Sequence, residues 1–139
     1  MNEFITFLSE NYLLILLLFF GFALTSQQDH IVGLFYGVKY LSPQEAVSYI
    51  NSGAKVIDSR IESDFSKERL KGAIHFSSLK AANSELALKD NIILCCSSND
   101  TGITQVKKLK ELGYKNLFMI TGGYQAWVDE GFPVIRRKK

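Results

Sequence analysis

The chain has 139 residues, 47% of them hydrophobic and 22% charged, with a formal net charge of +2. Those values exclude a disordered or low-complexity chain, and so small a charge gives no footing for nucleic-acid binding. The length accommodates one domain of ordinary size and a short additional segment.

The charge is unevenly placed. Residues 1–38 contain Glu3, Glu10 and Asp29 and no Lys or Arg, whereas all 16 basic residues lie from Lys39 onward, beside 11 of the 14 acidic ones. Tyr12 to Leu24 reads YLLILLLFFGFAL without a charge, and FITFL precedes it across Ser9-Glu10-Asn11. From Phe4 to Thr25 a helix would extend about 33 Å, enough for a hydrocarbon core of ~30 Å. No basic residue stands ahead of the stretch and no small-x-small cleavage site follows it, which argues against a signal peptide. Being apolar on every face, it is also a poor core helix. Residues 1–25 are therefore expected to form one N-terminal transmembrane helix. The later onset of Lys and Arg places the carboxy-terminal side in the cytoplasm. Residues 26–39 read as a juxtamembrane linker, with Ile31 to Phe35 at the membrane interface.

The expected domain runs over residues 40–135. Ser42-Pro43-Gln44-Glu45 is a capping box with Pro at the first helical position, so a helix starts there and ends at Asn51-Ser52-Gly53. Ala54 to Asp58 (AKVID) reads as a short buried strand ending in a carboxylate. A helical turn over Glu62 to Leu70 follows, and Ser84 to Leu88 reads as a brief helix. Asn91 to Cys96 (NIILCC) is the most strand-like run in the chain. After the polar segment Ser97 to Thr101, Ile103, Val106, Leu109 and Leu112 recur at helical spacing up to Gly113. Asn116 to Ile120 is another strand, and Thr121-Gly122-Gly123 leads into a last helix through Trp127, stopped by Gly131. Residues 136–139 (Arg136-Arg137-Lys138-Lys139) read as a solvated basic tail, with anionic lipid headgroups as the alternative contact. Short apolar strands alternating with helices predict an α/β domain with a mainly parallel sheet covered on both faces.

The two cysteines, Cys95 and Cys96, are adjacent, so they make neither a disulfide framework nor a C-x-x-C metal or redox pattern. No metal or cofactor is expected. In parallel sheets, sites form beyond the carboxyl ends of strands, where both Asp58 and Cys96 fall. A loop curled after Cys96, followed by a helix start near Gly102, would aim backbone N–H groups at the sulfur and favour the nucleophilic thiolate. An inert buried thiol is the competing reading. Side-chain alternation turns Cys95 the other way, into packing. His30 and His75 have no ligand partner in the sequence, and Trp127 reads as a core anchor.

Val56-Ile57-Asp58-Ser59-Arg60, Phe65, Gly72-Ala73-Ile74, the Ile92 to Cys96 segment, Leu112 to Asn116, Thr121 to Trp127 and Gly131 to Val134 together resemble the rhodanese-like domain family. The resemblance covers about Leu41 to Val134, and its layout is similar to that of small membrane-anchored bacterial rhodaneses, which implies a bacterial inner membrane. It implies sulfur transfer through a persulfide on Cys96, from a sulfane-sulfur donor to a thiol acceptor. It also implies an anion cradle from Ser97, Ser98, Asn99, Asp100, Thr101 and Gly102, and supporting roles for Asp58 and Arg60. Two departures stand out. Ser97 and Thr101 occupy positions where active members carry basic residues, and the loop's only charge is Asp100. Glu68-Arg69-Leu70-Lys71-Gly72-Ala73 replaces a Gly-His-Ile-Pro-Gly-Ala run. An Arg-free, acidic loop disfavours the thiosulfate dianion and favours a protein persulfide. The alternatives are a catalytically weak binding or regulatory module at the membrane and a thiol redox sensor. A cysteine phosphatase is ruled out, because Gly102 stands where the phosphate-binding Arg is required.

Overall fold

The computed structural model describes residues 2–26, 28–79, 86–97 and 99–137, and for residues 2, 24–26, 28–31, 99 and 100 the backbone alone. The apolar start is not the single straight helix expected. It divides into α1 (Asn2–Glu10) and α2 (Tyr12–Ser26), bent by 69° at the break. The polar triplet explains the interruption. Ser9 Oγ donates to Thr6 O at 2.8 Å and Asn11 Nδ2 to Phe7 O at 2.8 Å, so side chains occupy carbonyls of the last turn of α1. Among the described residues no single helix is long and apolar enough to cross a membrane, although the bent pair is, by length and composition. Leu13, Leu16, Leu17, Phe19, Phe20 and Phe22 on α2 are all exposed, in keeping with an apolar helix that lacks a polar face.

The segment expected as a linker is helical over Gln28–Tyr36 (α3). It packs onto the domain: Val38 N donates to Gly33 O at 2.9 Å, Lys110 Nζ donates to Tyr36 O, and Lys107 Nζ sits 4.7 Å from the Tyr36 ring centroid. There follow β1 (Lys39–Leu41) and α4 (Pro43–Asn51). The capping box is present: Glu45 N donates to Ser42 Oγ at 3.3 Å and Ser42 N to the Glu45 carboxylate at 2.8 Å. Next come β2 (Lys55–Asp58), α5 (Glu62–Lys67), β3 (Glu68–Leu70), β4 (Ile74–His75) and a single 3-10 turn at Phe76–Ser78. The chain closes with β5 (Ile92–Cys95), α6 (Asn99–Glu111), β6 (Leu117–Ile120), α7 (Gly123–Asp129) and β7 (Val134–Arg136).

Five strands form a parallel sheet in the order β1-β6-β5-β2-β4, with β5 at its centre. All four β5 residues are fully buried, as a strand covered on both faces requires. One core, with Ile57, Leu94, Cys96, Val106, Leu109 and Met119, lies between the sheet and α6. The other, with Val56, Ile93, Cys95, Ile120, Tyr124 and Trp127, lies beneath α4 and α7. Trp127 is a core anchor, 5.0 Å from the Phe132 ring.

Local pattern misreads the two ends of a second, antiparallel ribbon, β3 with β7. Glu68 to Leu70 was expected to be helical, and Arg136 to lie in a solvated tail. Instead Glu68 pairs with Arg136 in register, Arg136 Nε donates to Glu68 Oε2 at 2.6 Å, and Arg137 N donates to Lys67 O at 3.0 Å. Partners 68 residues apart leave no trace in a local window. Lys138 and Lys139 lie outside the described residues. The brief helix expected over Ser84 to Leu88 falls partly outside them too, and Leu86 to Leu88 is not helical.

Candidate active site

The carboxyl end of β5 is held from both sides. Ser59, one residue beyond β2, donates its backbone N–H to Cys95 O at 2.9 Å, and Tyr124 in α7 donates its N–H to Cys96 O at 3.0 Å. Gly123 permits the second contact. A Cβ there would overlap the Cys96 carbonyl oxygen, and φ is +60°, a conformation that L side chains rarely adopt. The expected alternation holds: Cys95 faces the core beneath α4 and α7, and Cys96 the core beneath α6.

The expected low-pKa thiolate is not what the resting fold provides. Cys96 is 1% exposed, and burial, with the Asp58 charge adding to it, pushes its thiol up to about 11. Cys95 is raised further, by burial first and by Asp58 second. The expected loop is also shorter. α6 begins at Asn99 rather than near Gly102, so Asn99, Asp100, Thr101 and Gly102 form its first turn. Ser97 and Thr101 are exposed, and Ser98 lies outside the described residues. Gly102 is brought directly against the sulfur: a Cβ on it would stand 2.9 Å from Cys96 Sγ and overlap the Met119 methyl.

Asp58 and Arg60 form a buried pair. Arg60 Nη2 lies 2.8 Å from Asp58 Oδ2, with side chains 6% and 0% exposed. Arg60 Nε reaches both carboxylate oxygens at 3.1 Å, and its backbone N–H reaches Oδ1 at 3.0 Å. Burial opposes the guanidinium charge, but Asp58 outweighs it and the Arg60 pKa is raised. Arg60 also donates to Glu68 O at 2.7 Å and lies 3.5 Å above the Tyr124 ring. A chain of contacts thus runs from the β3–β7 ribbon through Arg60 and Tyr124 to the Cys96 carbonyl. Neither Tyr124 nor Ser59 was given a role from sequence, although both stand inside the quoted motifs. His75 closes the arrangement, with Nε2 2.7 Å from Arg60 O and Nδ1 2.7 Å from Ser77 Oγ and 2.8 Å from Glu62 Oε2. Arg69 lies over the Phe65 ring at 5.0 Å. Among the described residues no group of three or more His, Cys, Asp or Glu could hold a metal ion.

A cysteine-bearing strand end in a five-stranded parallel sheet, braced by an Asp-x-Arg pair and a Gly-Gly-Tyr turn, defines an α/β domain of the rhodanese kind. Residues 42–130 match the rhodanese-like domain, and the chain belongs to that family. It is 32% identical over 98 residues to thiosulfate sulfurtransferase GlpE of Haemophilus influenzae, covering 69% of this chain and 93% of that one. It is 28% identical over 96 residues to the chloroplastic thiosulfate sulfurtransferase 16 of Arabidopsis thaliana, covering 59% and 80%. Among solved structures, the rhodanese-like domain of an Anabaena sp. protein superposes with a TM-score of 0.62 at 19% identity, over 70% of this chain and 79% of that one. A thiosulfate sulfurtransferase from Pseudomonas aeruginosa superposes with a TM-score of 0.62 at 25% identity, over 71% of this chain and 19% of that one.

Proposed function

We propose that the protein is a sulfurtransferase that carries sulfane sulfur as a persulfide on Cys96 and passes it to a thiol acceptor. The observation that carries this reading is the placement of Cys96 just beyond the central strand, with its carbonyl fixed by Tyr124 and its sulfur against Gly102. The Cys96 thiolate attacks the outer sulfur of a donor persulfide. The donor S–S bond breaks, the donor leaves as a thiolate, and a new Sγ–S bond forms. An acceptor thiolate then attacks the outer sulfur and Cys96 leaves, so no external oxidant or reductant enters. Asp58 and Arg60 support the site through Tyr124 without touching the reacting atoms. Gly102 lies against the Cys96 sulfur, and the absence of basic residues at Ser97 and Thr101 favours a protein persulfide over thiosulfate.

Intact mass of the protein after exposure to thiosulfate, and separately to a persulfide donor, tests this. A gain of one sulfur atom that is lost in Cys96→Ser supports it. No gain from either donor, with the thiol reduced and the protein folded, rejects it.

The deep burial of Cys96 and its raised pKa favour a second reading, a catalytically weak rhodanese-fold binding or regulatory module at the membrane. A Cys96→Ser protein separates the two, since a binding module loses nothing by that change.

The same reading assigns residues 1–25 to a membrane anchor and the rhodanese-like domain to the cytoplasmic side. The uncharged stretch of α2, with Leu13, Leu16, Leu17, Phe19, Phe20 and Phe22 exposed, supports the anchor, and the onset of basic residues at Lys39 supports the orientation. Retention in the membrane pellet through a high-salt wash is the expected result, and release would overturn it.

A further inference from the structure

At the amino ends of β1 and β6, against α3, lies a groove of about 450 Å3. This is within the usual size of small-ligand sites, roughly 300–1,000 Å3. Tyr40 and Phe118 line it together with Gly33 and Leu34 of α3, Lys39 and Lys115 are its charged residues, and no Asp or Glu lines it. Lys39 pairs with Phe118 in register, which sets its side chain at the edge strand of the sheet. Both lysines are exposed. Beside them Leu34 is 85% exposed and its neighbour Phe35 is 83% exposed.

We propose that this groove binds an anionic phospholipid of the bilayer, with Lys39 and Lys115 on the headgroup phosphate and Leu34 and Phe35 in the acyl boundary. The proposal rests on the anchor reading above. Two observations select a lipid over a soluble anion. A soluble anion would satisfy the lysines but leave Leu34 and Phe35 in water. In addition, α3 begins at Gln28, two residues after the exposed apolar α2 ends at Ser26, so the groove continues the surface assigned to the membrane. Along α3, Gln28 to Leu34 is about 9 Å.

The parallel sheet makes this contact useful. The groove is at the amino ends of β1 and β6, whereas Cys96 follows the carboxyl end of β5, the neighbour of β6. Seating the groove on headgroups therefore turns the sulfur site away from the bilayer, toward soluble donors and acceptors.

The test uses the full chain in nanodiscs of phosphatidylcholine alone and in nanodiscs containing phosphatidylglycerol. Amide hydrogen exchange is followed in peptides covering residues 33–40 and 114–118. Exchange in both should slow about threefold or more in the anionic discs. A Lys39→Gln/Lys115→Gln double variant, with an unchanged unfolding midpoint, should lose that slowing while staying in the discs. Equal exchange in the two disc types, slowing that persists in the double variant, or the same slowing from inorganic phosphate alone would each overturn the lipid site. The anchor is read separately by co-flotation with vesicles after a high-salt wash. Flotation with equal exchange overturns the lipid site alone, and no flotation overturns the anchor and the lipid site together.

Discussion

The backbone N–H of Tyr124 donates to the Cys96 carbonyl at 3.0 Å, tying the end of the central strand to the first turn of α7. The bond depends on Gly123, where a side chain would meet both the Cys96 carbonyl and a positive φ of +60°. Gly123→Ala is therefore expected to cost about 2–4 kcal/mol, from left-handed strain and overpacking together. Chemical denaturation checks the loss, and intact mass of the fraction still folded should show impaired sulfur uptake. An unchanged midpoint would mean that α7 does not brace Cys96.

The resting thiol should behave as a weak acid. Burial, with the Asp58 charge adding to it, raises Cys96 from an ordinary thiol value of 9.0 to about 11, so its alkylation rate should climb through pH 8–10 without levelling off near the usual thiol value. The same shift acts on stability. Between pH 9 and 11 the unfolded chain releases a proton that the folded chain keeps, so this contribution is complete below pH 9 and is lost as pH rises through 11. The loss is about 3 kcal/mol at one pKa unit per 1.4 kcal/mol. Unfolding curves for the wild type and Cys96→Ala should converge or cross in that window, and parallel pH dependences would contradict the assignment.

Asp58→Asn leaves the Arg60 guanidinium buried against a neutral amide. Breaking such a pair costs about 3–5 kcal/mol. Removing the Asp58 charge also removes the second cause of the raised Cys96 pKa, so alkylation at pH 8 should quicken in the folded variant. Thermal unfolding and alkylation kinetics measure the two effects independently.

Glu45→Ala removes one half of the capping box at the start of α4. A loss of about 1 kcal/mol is expected in denaturant unfolding, with sulfur uptake unchanged. A large loss of uptake would show that α4 reaches the site, which its contacts do not indicate.

Much of the domain was legible locally. Ser42-Pro43-Gln44-Glu45 announces α4 because every atom of its cap lies within four residues. Ile92 to Cys95 announces a central strand because burial on both faces demands an unbroken apolar run. The opposite facing of Cys95 and Cys96 follows from the period of two along a strand. The β3–β7 ribbon was not legible, since Glu68 and Arg136 meet only through the fold. The straight anchor helix was misread for a different reason, as Ser9 and Asn11 take backbone carbonyls that hydropathy does not weigh.

By itself, then, the amino-acid sequence determined the alternation of elements, the family resemblance and the opposite facing of Cys95 and Cys96, because these depend on neighbours and on periodicity. Only the tertiary structure decided that Cys96 is sealed at 1% exposure, that Gly102 and Gly123 press against it, and that α3 belongs to the domain surface. Solvation and close approach arise when distant segments pack together, and the raised pKa of Cys96 is the chemical consequence of that packing.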